Sequence, residues 1–413
     1  MSVAVGGSLR LMADRDFRLW FLSRSTSVAG TAASAVALPL LTFQVSGSPA
    51  LTTAVTGLEA LPYLMFGLFA GAAADRLRRK VMLVGADLGC ALLLATVPAA
   101  RAFGALTSWH LLAVAFGIGC GFCWFDAAAW GSLARLVSIA RLPEVNSVIW
   151  SAQIVLEISV PAGAGVLAAA TDPTVVIAVD AVSYLVSAAL TARLGGELDP
   201  PADPDRPTRR WTADIAEGLR YLWREPVIRM LSLTGFGFNL SAGGVFGLLV
   251  VYADQVLGMR TPDWRIGLLY TAAAVGSLSA AILLPRLGRR VGQGPLSILA
   301  YAVFVVALLG LAVMPLFAGA MLLWSVWELA RTTANVNGIT VRQGLTPDEL
   351  QGRVNTTGRM IAWGGTPFGA LVGGTAAELA GVRTAYLILT VPAAVGLGVL
   401  LTSPVRRLRH VTR

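Results

Sequence analysis

Nine ionisable side chains of this 413-residue sequence stand inside otherwise apolar stretches: Arg24, Glu59, Asp87, Asp126, Glu157, Asp180, Glu328, Arg331 and Arg359. Their neighbours are mainly Leu, Val, Ala and Gly. A charge held in such surroundings at the centre of a bilayer costs about 2.5–3.5 kcal/mol on insertion scales, so these groups are expected to face a partner or a water-filled space. Paired carboxylates and guanidiniums there have two uses. They lock helices together, or they take up and release protons, because a carboxylate held out of water gives up its charge more readily. Arg24 and Asp126 form one candidate pair, which protonation of Asp126 would release, and Glu59 is a second candidate carrier. A static salt bridge is the competing reading of the pair.

Spacing groups other residues by helix face. Glu328 and Arg331 are three apart, one above the other on a helix, and Trp324 and Asn335 extend that face by a turn each way. The stripe either faces a substrate or is an internal ion pair. Asn146, Trp150, Gln153 and Glu157 also recur at helical spacing, a polar stripe ill-suited to face lipid. Trp124, Trp327, Asn239 and Arg359 are further candidates for a substrate cavity, although packing competes for each tryptophan.

These positions require long apolar elements. Hydrophobic residues make up 56% of the chain and charged residues 13%, with mean hydropathy +0.71; a soluble domain carries about 25% charged residues. A spanning helix needs about 20 mostly apolar residues. Twelve such segments are expected: Phe17–Val45, Leu51–Ala74, Val81–Ala100, Trp109–Arg135, Asn146–Ala170, Thr174–Arg193, Val227–Leu257, Ile266–Pro285, Pro295–Met314, Phe317–Val341, Val354–Ala380 and Thr384–Thr402. With the amino end placed inside, 25 of the 32 lysines and arginines fall in cytoplasmic segments and four outside. That asymmetry predicts both termini in the cytoplasm and the chain in the cell membrane. The net charge of +9 is thereby assigned to topology and lipid headgroups, and no nucleic-acid partner is expected.

Cys120 and Cys123 have redox-like spacing but lie within an apolar span, where small buried filler is expected. No cofactor motif, metal-ligand cluster or nucleophile–base set is legible, so neither an enzyme nor a metal site is expected. The amino end reads as a retained first helix.

The stretch 194–226 interrupts the pattern. Asp199-Pro-Pro-Ala-Asp-Pro-Asp-Arg-Pro207 is too polar and proline-rich to span. Trp211, Ile215, Leu219 and Leu222 then recur at helical spacing, which predicts an amphipathic helix on the inner membrane surface. It separates an amino-terminal six-helix bundle, 1–193, from a carboxyl-terminal one, 226–413, with 194–225 as linker.

The halves echo one another. Arg76-Leu77 and Arg79-Lys80 match Arg286-Leu287 and Arg289-Arg290; Gly131 and Arg135 match Gly338 and Arg342; Val145-Asn146-Ser147 matches Val354-Asn355-Thr356. An ordered series at offsets of about 207–211 residues implies two copies of one membrane-embedded unit.

The hairpin after the second span carries a resemblance. Gly71-Ala-Ala-Ala-Asp75-Arg76-Leu77-Arg78-Arg79-Lys80 is similar to the Gly-x-x-x-Asp-Arg-x-Gly-Arg-Arg/Lys pattern of the major facilitator superfamily, with Arg78 at the usual glycine. Gly365-Thr-Pro367-Phe-Gly369-Ala-Leu-Val-Gly373 resembles that family's proline–glycine motif, and Pro161-Ala-Gly163-Ala-Gly165 is a twin without the leading glycine. Leu61-Pro62-Tyr63 and the Glu217–Arg224 helix resemble the branch of macrolide-efflux and enterobactin-exporter proteins.

The resemblance implies an all-α membrane protein of twelve transmembrane helices in two pseudo-symmetric six-helix bundles. It implies a latch at Gly71, Asp75, Arg76, Arg79 and Lys80, helix packing at the two proline–glycine motifs, and a small-molecule substrate exported against protons by a monomer in the lipid bilayer. Proton- or solute-coupled nutrient uptake is the alternative, and a membrane scaffold or sensor a third reading.

Overall fold

The computed structural model describes residues 12–74, 77–137, 141–195, 198–199, 211–347 and 350–409. The described residues are nearly all helical. In chain order the helices are α1 Arg15–Ser46, α2 Pro49–Ala74, α3 Arg79–Ala102, α4 Ser108–Leu136, α5 Leu142–Ala170, α6 Pro173–Ala192, α7 Trp211–Arg224, α8 Pro226–Gly247, α9 Leu249–Gln255, α10 Arg265–Val291, α11 Gln293–Val313, α12 Phe317–Leu345, α13 Gln351–Trp363 and α14 Gly365–Thr402.

Local sequence explains several ends. Thr107 accepts the His110 N–H at 3.2 Å and opens α4, while Asp172 accepts the Thr174 N–H at 2.9 Å one residue before Pro173 opens α6. These oxygens satisfy amides that the first helical turn leaves without partners. Gly381, at φ +81°, turns α14 back on itself, so that one helical run holds the end of the eleventh expected span and all of the twelfth. Only glycine takes that backbone cheaply.

Eight described helices, or nine counting the pair α8 and α9 bent by 51°, are long and apolar enough to cross a membrane. The seventh expected span, Val227–Leu257, is thus broken between Gly247 and Leu249. With the fold-back at Gly381, and with α2 and α12 long enough to cross, the helices account for the twelve expected segments.

Contacts gather the chain into two compact units. One comprises Met1–Leu41, Met65–Arg206 and Pro262–Gly267; the other comprises Thr42–Leu64, Pro207–Thr261 and Leu268–Arg413.

In the first unit α3 packs on α4 and α6, and polar seams join the helices. Ser34 and Ser183 donate to the two oxygens of Asp180 at 2.5 and 2.9 Å, tying α1 to α6. Gly30 makes the approach possible, since a Cβ there would collide with Asp180 and Ser183. Each such bond is worth about 0.6–2 kcal/mol in a membrane interior.

The second unit is built on α8 against α14 and on α11 against α12 and α14. Gly244 and Gly373 bring α8 and α14 together, a Cβ on Gly373 falling 3.0 Å from the Gly244 Cα. Phe238, Phe246, Phe304, Trp324 and Trp327 form an aromatic core with ring centroids 4.2–5.8 Å apart. The linker helix α7 belongs to this unit: Leu222 packs with Ile228 and Val354, and the Tyr221 hydroxyl donates to the Leu345 carbonyl at 2.9 Å.

Candidate functional site

A cavity of about 250 Å³ lies in the first unit between α1, α3, α4, α5 and α6. Its charged and polar lining includes Arg24, Asp87, Gln153, Glu157 and Tyr184; Phe122, Phe125, Cys90 and Val28 supply apolar surface. Arg24 lies over the Phe125 ring, 5.3 Å from its centroid, a cation–π contact that orients the guanidinium. Gln153 donates to Glu157 at 2.9 Å along α5, so half of the polar stripe expected on the fifth span does face this cavity. Trp150, from the same stripe, is half exposed on the protein surface.

Asp87 is the most informative group. It is almost wholly enclosed, and Ser187 donates to its Oδ2 at 2.6 Å. Ser187 also meets Ser23 at 2.8 Å, and Ser23 meets Thr191 at 2.8 Å. Each hydroxyl has one proton to give. With the Ser187 proton on Asp87, Ser187 must accept from Ser23, and Ser23 from Thr191. Three hydroxyls are therefore polarised in one direction, ending on the carboxylate. The other oxygen, Oδ1, has no hydrogen-bond partner among the described residues. Asp87 thus combines a fixed side with an uncommitted one on a cavity shared with Arg24.

Sequence spacing does not single out Asp87 over the other intramembrane acids, because which face of α3 meets α1 is set by packing. Arg24, Phe125 and Asp87 line the same cavity; the paired candidate Asp126 follows Phe125, is half-buried, and acts electrostatically on Arg24 ahead of Asp87. Glu59 is half-buried and belongs to the second unit, Arg24 to the first. Trp124 packs against the apolar cluster of Phe17, Trp20 and Leu133.

Among the basic-hairpin residues, Asp75 and Arg76 lie outside the described residues. Gly71 has open space around its Cα. The remaining bases grip the segment after α6: Arg79 donates to the carbonyls of Ala74 and Leu198 at 3.2 Å each, and Lys80 to that of Leu194 at 2.8 Å. The Arg79 N–H is accepted by Asp199 at 2.7 Å, which ties the hairpin to the start of the linker.

In the second unit Glu328 and Arg331 are paired by two hydrogen bonds, and Arg331 lies 5.6 Å from the centroid of Phe246. Trp324 and Trp327 are fully enclosed in the aromatic core beside them. Arg359 is hydrogen-bonded to the Tyr63 hydroxyl and lies between the Tyr63 and Trp363 rings. Asn239 donates to the Gly235 carbonyl at 2.9 Å, a bond within its own helix. Asn335 lines a separate, smaller recess.

The proline–glycine motifs are surfaces of close approach, with one exception. A Cβ on Gly165 would fall 2.7 Å from the Trp264 carbonyl, and one on Gly365 or Gly369 would collide with the α8 backbone at Phe236 or Leu240. Pro161 presents its carbonyl to Gly267, and Pro367 its own to Gly57. Gly163 has no neighbour within 4 Å.

Known proteins resemble this chain along most of its length. A family model described as Major Facilitator Superfamily matches residues 20–361. The multidrug efflux pump Tap of Mycolicibacterium fortuitum is 28% identical over 381 residues, covering 89% of this chain and 90% of that protein. A pump of the same name from Mycobacterium tuberculosis is 26% identical over 384 residues, covering 89% and 88%. Among solved structures, the nucleoside transporter NupG, as a mutant, superposes with TM-score 0.78 at 13% identity, covering 94% of this chain and 99% of that one. A bacterial homologue of the iron transporter ferroportin, in an inward-facing state, gives 0.75 at 17%, covering 95% and 98%. At those identities the likeness speaks for the fold alone.

Proposed function

The chain belongs to the Major Facilitator Superfamily, and on that premise we propose that it is a proton-coupled exporter of small amphipathic compounds, working by alternating access. The observation that carries this reading is the cavity of about 250 Å³ that sets Arg24, Asp87 and Glu157 among Phe122, Phe125 and Tyr184. An apolar recess with a few charged groups suits a compound that has a greasy body and a polar or ionised end. The relatives named as multidrug efflux pumps favour outward movement.

Coupling to protons rests on Asp87. A proton on its unpartnered Oδ1 leaves the Ser187 bond to Oδ2 in place, so charge changes without loss of the α3–α6 seam. Loss of that negative charge withdraws a counter-ion from Arg24 on the same cavity and alters its fit to a cationic or neutral substrate. The cell membrane as location and cytoplasmic termini, supported by the distribution of Lys and Arg, and a monomeric working unit complete the proposal.

The test is dye transport in proteoliposomes, using a fluorescent lipophilic cation and an imposed pH gradient. Transport that stops when the gradient is collapsed is the expected result. Transport at an unchanged rate after collapse would refute proton coupling, and no movement of any of a panel of amphipathic dyes would refute the substrate class.

A further inference from the structure

The second unit holds a separate recess of about 40 Å³, between α8, α11, α12 and α13, at the carboxyl-terminal end of α12. Arg342 lines it, with Ser232, Ser297, Tyr301 and Asn335 around it. Arg342 is 8% exposed, and its Nε has no hydrogen-bond partner among the described residues; Ser232 is 2% exposed, and its hydroxyl has none among them either. The guanidinium lies against Gly358, where a Cβ would collide with it, so the eleventh expected span leaves it room. Among the described residues the charged group that faces it is another cation, Arg359, which is itself occupied by Tyr63 and Trp363.

An enclosed guanidinium without a counter-charge is among the most costly arrangements a protein interior can hold. The fold does not demand it. Arg135, the counterpart of Arg342 in the internal repeat, is exposed. The repeat therefore accommodates an arginine here in the open, and the second copy has enclosed one beside an unpartnered hydroxyl.

We propose that this recess is a binding site for a small monovalent anion, of the size of chloride or formate, held by Arg342 and Ser232. Size sets the class. One water-sized probe occupies about 10–15 Å³ of such volume, so 40 Å³ admits an ion of one to three heavy atoms and excludes an amphipathic drug molecule. The guanidinium supplies charge and a planar fork of donors, the serine a hydroxyl donor. The bound ion would neutralise Arg342 and link α12 to α8. This site is distinct from the cavity at Asp87 and does not depend on the direction of transport.

The experiment is thermal unfolding of the full chain in lipid nanodiscs, with sodium gluconate replaced stepwise by chloride or formate at constant ionic strength. Gluconate is too large for the recess. The expected result is a saturable rise in melting temperature of about 2 °C or more, absent in Arg342→Gln and displaced to higher anion concentration in Ser232→Ala. A rise with formate but not chloride assigns the site to carboxylates, and a rise with both assigns it to small anions generally. No saturable rise, or the same rise in Arg342→Gln, would overturn the proposal. If Arg342→Gln does not fold, an unchanged titration midpoint in Ser232→Ala overturns it as well.

Discussion

Arg331 holds Glu328 through two hydrogen bonds, from Nε at 2.7 Å and from Nη2 at 2.6 Å, one helical turn apart on α12. Glu328 also accepts from the Thr332 hydroxyl at 3.2 Å and is 4% exposed, while Arg331 keeps 28% of its side-chain surface. Breaking a buried pair from one side costs about 3–5 kcal/mol, and the exposure of Arg331 lowers that somewhat. Glu328→Gln is expected to lose about 2–4 kcal/mol of stability. The double variant with Arg331→Met should recover part of it, because no charge is then left alone. Thermal unfolding in detergent of both single variants and the double measures the coupling; strict additivity would mean that the pair contributes nothing.

Asp87→Asn should separate binding from coupling. The asparagine carbonyl can still accept from Ser187, so α3 and α6 stay joined. Gradient-driven accumulation of substrate is expected to fall at least about tenfold, the effect of 1.4 kcal/mol, while exchange of substrate at equal pH on both sides continues. Equal loss of both activities would point to a structural role for Asp87.

Gly30 and Gly163 make opposite predictions from the same substitution. A methyl at residue 30 meets Asp180 and Ser183, so Gly30→Ala must push α1 from α6 and is expected to cost about 1–3 kcal/mol. Gly163 faces open space, and Gly163→Ala should be neutral or mildly stabilising. Yield of folded protein and melting temperature, compared side by side, check the contrast.

Acid sensitivity is expected at the start of α10, outside the spans. The Arg265 side chain donates to Asp263 at 2.6–3.1 Å and, together with the Arg265 N–H, holds that carboxyl below its ordinary value. A depressed carboxyl stabilises the fold above the unfolded-state value of about 3.9 and ceases to do so as pH falls through the folded-state value. Asp263→Asn should therefore lower the melting temperature at pH 6–7, and the difference should shrink as the pH is taken below the ordinary carboxyl value. A gap that widened toward acid would have the wrong sign.

The spans were legible because each depends on a long run of some 20 apolar positions. The break after Gly247 was not legible. Gly243, Gly244 and Gly247 announce close approach, but only the fold shows that Thr53 of α2 meets Gly247 while α14 meets the other two. The candidate site was legible in kind more than in membership. That intramembrane charges would line a cavity follows from the cost of exposing them to lipid, and Arg24 does so. That Asp87 shares this cavity with it depends on the rotation of α3 about its axis, which apolar residues on nearly every face of that helix leave undetermined. Arg342 makes the same point from the other direction, since its sequence resembles Arg135 and its surroundings do not.

The seating of α7 bears on where this polypeptide can be cut. Leu222 and Tyr221 anchor that helix to Ile228, Val354 and the Leu345 carbonyl, so it is carried by the second unit. Dividing the chain just before Trp211 would keep α7 with its partners Ile228, Val354 and Leu345 on the downstream fragment, whereas division after Arg224 would strip that fragment of an amphipathic cover and leave Leu222 and its apolar partners bare to solvent.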